Sequence, residues 1–148
     1  MTDLVDRVED AAQLGERDPE VVSWARRFAA GTRGDAAGTI ACVMRRLQSI
    51  PYRADPPGSD PILPVREVLL GCSACDCEDR TAAVVAALRL LGYVAWPVYI
   101  EQPRAPQDHV TARVMVGGRV LWCDTTVAAE LGEHPFTAAE RLGMGHVQ

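Results

Sequence analysis

Three features of the chain predict an α+β fold. Helical periodicity fills the first fifty residues, one apolar run closed by glycine lies in the middle, and alternation of apolar and polar residues follows it. Leu4, Val5, Val8, Ala11 and Ala12, then Val21, Val22, Trp24, Ala25 and Phe28, recur at three-and-four spacing, so residues 3–14 and 18–30 read as amphipathic helices. Asp18-Pro19-Glu20 is an entry signal for the second. Ile40, Val43, Met44, Leu47 and Ile50 extend the pattern through a third helix, which Pro51 stops. From Tyr52 to Pro64 the prolines 56, 57, 61 and 64, with Gly58 and Ser59, exclude a helix or a central strand and predict an extended loop. Val65 to Leu70 is long enough for a turn or two of helix.

The run from Thr81 to Leu91 is apolar on nearly every side and ends at Gly92, so it predicts a helix buried in the middle of the domain, with a cluster of cysteines at its start. Strands follow at Val94–Glu101, His109–Val116 and Arg119–Asp124, the last two joined by Gly117-Gly118, which suits a primed hairpin turn. The turn fixes a register. If Val116 pairs with Arg119, Thr111 faces Asp124 and His109 faces Thr126, so His109, Thr111 and Asp124 share one face. His109 and Asp124 are then diagonal neighbours, roughly 7–8 Å apart along the backbone and within side-chain reach. Cys123 falls on the opposite face, with Val110 and Val114, as a core residue.

With 148 residues, 48% of them hydrophobic, the chain has material for one buried core, and a single domain over 1–148 is expected: a helical part (1–50), a core (60–127) and a C-terminal tail (128–148). A net charge of -5 and scattered basic residues argue against nucleic acid as a partner. All fifteen basic residues are Arg, and Asn is absent, so only Asp or Glu can orient a catalytic His. The N-terminus has acidic residues where a signal peptide needs a basic start and an apolar run, and Ala82–Leu91 is too short to span a bilayer. No membrane insertion and a cytoplasmic location are expected. Five cysteines, an odd number with three between 72 and 77, do not read as a disulfide framework.

Thiol chemistry needs a nucleophile, a base and a group that orients the base. Cys77, at a helix start, faces unpaired backbone N–H groups and the positive end of the helix dipole, which favour the thiolate, while Asp76, Glu78 and Asp79 oppose it. A neighbouring imidazolium is needed to outweigh them, and His109, paired by register with Asp124, supplies one. His134 and His146 lie in a Pro- and Gly-flanked tail without such geometry. The Cys77 backbone N–H is a natural donor to a tetrahedral oxygen. Asp79 reads as a structural residue that complements the dipole and holds the Cys loop; Trp96 and Trp122 read as packing residues.

The run Asp76-Cys77-Glu78-Asp79-Arg80-Thr81 through Ala87-Leu88-Arg89-Leu90-Leu91-Gly92-Tyr93, then His109 at a strand, then Leu121-Trp122-Cys123-Asp124-Thr125-Thr126, resembles the transglutaminase-like superfamily of papain-fold cysteine enzymes. The match covers about residues 60–127. The resemblance implies a papain/transglutaminase-like core with Cys77 as nucleophile, His109 as base and Asp124 as orienter. It also implies cysteine-dependent acyl transfer or amide hydrolysis on a protein or peptide substrate, with no cofactor. The loop Tyr52-Arg53-Ala54-Asp55-Pro56 makes the chain similar to small members encoded in phages and prophages. That likeness brings phage structural proteins as partners and the virion as a location. The sequence departs from the family in Cys75, where a Gly usually precedes the Asp-Cys pair, in an added Cys72, and in Trp122, one residue closer to its Asp than is usual.

Two other classes compete. A catalytically inert virion-associated or adaptor protein can use the same fold. Alternatively, Cys72, Cys75 and Cys77 have the close spacing used for zinc or iron-sulfur, with Cys123 as a fourth ligand. Against the metal reading, Cys123 lacks a partner cysteine nearby in sequence, and the hairpin register turns it to the other face.

Overall fold

The computed structural model describes residues 2–32, 34–54 and 61–147. The chain order is α1 (Thr2–Arg17), α2 (Pro19–Gly31), α3 (Ala36–Gln48), α4 (Val65–Leu70), α5 (Cys77–Leu90), β1 (Ala95–Ile100), β2 (His109–Val116), β3 (Arg119–Trp122) and α6 (Pro135–Arg141). The sequence periodicity and these elements agree closely, because the apolar faces that define the pattern are the faces that pack. Asp18 and Asp35 cap α2 and α3 by accepting the N–H groups of Glu20 and Gly38.

Helix α5 has no polar face to offer water, so it lies at the centre and packs against α1, α3 and α4 on one side and β1 and β2 on the other. Every residue from Asp79 to Leu88 is buried. Its start lies four residues before the expected Thr81, because Asp76 and Asp79 form a reciprocal capping box that carries the helix back to Cys77. Arg89, near its other end, reaches Glu9 and Glu16 of α1 at 2.6 and 3.2 Å and clamps the two helices together.

The sheet is antiparallel in the order β1-β2-β3, and Val116 pairs with Arg119. Gly117 (φ 57°) and Gly118 (φ 79°) both occupy the left-handed region that a type I′ turn requires. Regular pairing in β3 stops at Trp122, two residues short of the expected Asp124, although Cys123 N–H still bonds to Ala112 O. Cys123 is fully buried in the main core, as its register position implies.

Residues 128–148, expected as a tail, instead contain α6. His134 caps it, and Val127, Ala129, Ala138, Ala139 and Val147 form a second small apolar cluster. Seven residues of helix flanked by Gly and Pro give too little periodicity to read from sequence. In the stretch 52–64, Tyr52 makes a parallel bridge to Cys75; Asp55 and Pro56, on which part of the phage-type likeness depends, lie outside the described residues.

Candidate active site

The site forms where β2 outruns β3. Beyond Trp122 the far edge of β2 has no strand partner, so the backbone polar groups of Val110 need other company. The start of α5 provides it. Thr81 Oγ1 donates to Val110 O at 3.2 Å, and the Val110 N–H lies near enough to the Cys77 sulfur to favour its thiolate. Cys77 is thereby held beside the residue that follows His109, at the first position of α5, where its own N–H has no intrahelical acceptor.

His109 and Asp124 are both wholly buried and lie 2.6 Å apart, Nε2 to Oδ2. Burial alone pushes the Asp124 carboxyl upward. It is outweighed by hydrogen bonding and charge from His109 and by the Val127 N–H, so the group sits below the ordinary carboxylate range. Thr111 Oγ1 stands close enough to favour the ionised form while falling short of a full hydrogen bond. The other oxygen, Oδ1, accepts the N–H groups of Thr126 and Val127 at 2.9 and 3.0 Å. An ionised Asp124 can only accept, so Nε2 carries the proton. In the neutral ring Nδ1 is then a bare acceptor, and it is buried without a hydrogen-bond partner among the described residues.

Cys77 is 6% exposed. Burial pushes its thiol up to about 12; the Val110 N–H opposes this, and the charges of Asp76, Glu78 and Asp124 add to it. The helix start therefore does not win, and the free thiol is protonated at neutral pH. Asp79 has the structural role expected of it: Oδ2 accepts the Asp76 N–H at 3.1 Å and Oδ1 the Leu63 N–H at 2.8 Å, tying the preceding loop to the helix.

Cys72, Cys75, Cys77 and Cys123 do not gather into a ligand set. Among the described residues no three His, Cys, Asp or Glu side chains converge in a way that could hold a metal ion. Cys75 is buried, and burial raises its thiol to about 12 with Cys72 as a neighbour; its backbone pairs with Pro51 and Arg53. Cys123 points into the core from the other face of the sheet.

Gln48 and Arg80, near the site, escaped sequence reasoning, while His134 reads from sequence as a tail residue and Tyr52, like Trp24, only as a side chain of the right kind to donate to an oxyanion. His134 stacks edge-on against Trp122 and accepts the Phe136 N–H on Nδ1, and it lies within the fields of Asp124 and His109; burial holds its ring below the ordinary imidazole range. Gln48 donates to Asp124 O and Ala129 O at 2.9 and 2.8 Å, which fixes the backbone carrying the carboxylate. Buried Arg80 donates to Leu47 O and Cys75 O. Tyr52 feels the charge of a Cys77 thiolate, and burial is the larger of the effects that raise its phenol to about 12. The available signal was a helix-face polar residue in an otherwise apolar run for Arg80 and Gln48. None existed for His134, whose neighbours are set by a turn.

This architecture is the transglutaminase-like fold. The chain is similar to the periplasmic domain of TgpA from Pseudomonas aeruginosa, solved bound to ethylmercury, with a TM-score of 0.56 and 17% identity over 71% of this chain; it spans 42% of that protein's chain. A second solved structure, of a TGase, is similar with a TM-score of 0.49 and 14% identity, over 95% of this chain and 36% of that one. No protein-family model and no curated protein sequence matches the chain. Among the described residues, no helix is long and apolar enough to cross a membrane.

Proposed function

We propose that this chain is a cysteine-dependent enzyme of amide bonds, acting on a protein or peptide substrate through Cys77, His109 and Asp124. One observation carries the reading: a fully buried imidazole, fixed by an ionised carboxylate in the tautomer that leaves Nδ1 bare, has an unpartnered lone pair on the residue before Val110, the strand position to which the start of the Cys77 helix is bonded through Thr81. A buried acceptor left unsatisfied costs about 1–3 kcal/mol. Such an atom is expected where a reaction supplies its proton.

As the sulfur of Cys77 bonds to the substrate carbonyl carbon, its proton passes to His109 Nδ1. The carbonyl oxygen becomes an oxyanion facing the Cys77 backbone N–H. When the intermediate collapses, the C–N bond breaks and the departing amine takes the proton from Nδ1. Water then adds to the thioester while Nδ1 accepts its proton, and that proton returns to the thiol as the acid leaves. Asp124 stabilises the imidazolium in both halves. Because Cys77 begins as a neutral thiol, His109 works as a general base in the attack itself. Water is preferred to an amine as acceptor, since no dedicated amine site is evident.

The test is a burst experiment with p-nitrophenyl acetate as acyl donor, followed by mass spectrometry. An acetyl thioester on Cys77 that is lost in Cys77→Ala and strongly reduced in His109→Ala is expected. A chain that takes no acetyl group on Cys77, or takes it equally without His109, overturns the reading and favours an inert domain of the same fold.

A further inference from the structure

The β1–β2 connection runs straight into His109 and is tied down at both ends. Asp108 accepts the Gln102 N–H at 2.8 Å and the Tyr99 hydroxyl. Gln102, itself buried, accepts the Val147 N–H at 3.0 Å and donates to Val147 O at 3.0 Å and Gln107 O at 3.2 Å. At the far end Gln107 donates to the Tyr52 hydroxyl at 3.0 Å.

This anchored loop is the common wall of two clefts. One, of about 430 Å³, is bounded by Tyr52, Ala54, Pro106 and Gln107, so it opens beside the residue whose backbone bridges to Cys75, two positions before Cys77. The other, of about 400 Å³, lies between the loop and α6. Phe136, Ala139, Met144 and Val147 supply its apolar lining, while Arg104 and Glu140 keep exposed charges at the rim. His146 lines both clefts and makes them neighbours. A lining of this kind, with polar groups confined to the edge, matches an uncharged side chain of a ligand whose backbone stays in the wetter channel.

We propose that the cleft between the loop and α6 receives a large apolar side chain, such as Leu, Phe or Met, on the acyl side of the amide attacked by Cys77. This rests on the acyl-transfer reading of Cys77 given above. The acyl part stays bonded to sulfur through both half-reactions, so a pocket that holds it serves acylation and hydrolysis alike. Residues 143–147 and α6, within the stretch expected as a C-terminal tail, thereby become the specificity wall of the enzyme.

The experiment compares N-acetyl-Leu-Gly chloromethyl ketone with N-acetyl-Asp-Gly chloromethyl ketone as labels of Cys77 in the whole chain. Partial burial of the leucine side chain predicts labelling about tenfold faster than with aspartate. Gly145→Trp is the blocking variant: Gly145 lines the cleft, a Cβ there meets no atom within 4 Å, and its φ lies outside the left-handed region, so the backbone accepts the indole. In that variant the leucine rate falls to the aspartate rate. Equal rates for the two ketones in the unmodified chain overturn the proposal while leaving the thiol chemistry standing. If neither ketone labels Cys77, the reaction fails and the pocket is read on its own. N-acetyl-Leu-Gly amide is then titrated into Cys77→Ala by ¹H–¹⁵N NMR. Saturable shifts at Ala139, Met144 and Val147 support it, and shifts elsewhere or none overturn it.

Discussion

Asp124→Asn exchanges one carboxylate oxygen for an NH₂ group and tests the geometry of the site more sharply than removal of the side chain. Oδ1 of Asp124 is held by the N–H groups of Thr126 and Val127, which can only donate. An asparagine must therefore keep its carbonyl oxygen there and turn its NH₂ toward His109 Nε2. That group donates, so Nε2 becomes the acceptor and the ring proton moves to Nδ1, the atom that should take the proton of Cys77. Reversal of a catalytic tautomer costs roughly 10³–10⁴ in rate, which is about 4–5.5 kcal/mol of transition-state stabilisation. The fold loses one charge-assisted hydrogen bond, about 1.5–3 kcal/mol, and keeps both turn contacts. Asp124→Ala is a poorer probe, since it strands three donors at once, two of them buried. Deacetylation of p-nitrophenyl acetate gives the rate, urea melts give the stability, and ¹⁵N NMR of the imidazole reads the tautomer. An Asn variant that keeps the proton on Nε2 and turns over at the unmodified rate refutes the reasoning.

The Cys77 thiol, raised to about 12 by burial and acidic neighbours, predicts that iodoacetamide alkylation of Cys77 climbs about tenfold per pH unit from 7 to 10; a plateau between pH 5 and 8 would instead reveal a standing thiolate-imidazolium pair. Because the folded carboxyl of Asp124 lies below its unfolded value of about 3.9, its stabilising contribution is complete above that pH and drains away as pH falls through the folded value. The stability gap between the unmodified chain and Asp124→Asn should therefore be constant from pH 5 to 7 and narrow below about pH 4, measured by urea unfolding; a gap that widens on acidification contradicts this. Gly15→Ala should destabilise the chain by about 1–3 kcal/mol, because a Cβ there meets Val65 Cγ2 at 2.6 Å and Cβ at 2.7 Å; a thermal melt unchanged from the parent would show that α1 and α4 can part without penalty.

What the sequence determined is local or periodic. Burial of one helix face writes a 3.6-residue pattern, and so α1, α2 and α3 could be placed from their apolar residues. The lack of any polar face in α5 is equally direct evidence of burial on all sides. The pairing of His109 with Asp124 was legible for a special reason: a two-residue Gly-Gly turn permits one register, and a strand period of two then decides which side chains share a face. The ionic state of the site was not legible. Whether a thiol at a helix start is acidic depends on how much water it loses and which charges surround it, and those are sums over the packed molecule; here desolvation and three carboxylates outweigh the dipole. Only the tertiary structure brought Cys77 to the Val110 N–H, Gln48 to the backbone of Asp124, and α6 and residues 143–147 to the loop before His109. These contacts join residues tens of positions apart, and Asp124, the loop before His109 and residues 143–147 lie in short irregular segments. Such segments carry no repeat, so their partners are chosen by the shape and unsatisfied polar groups of the surface they meet.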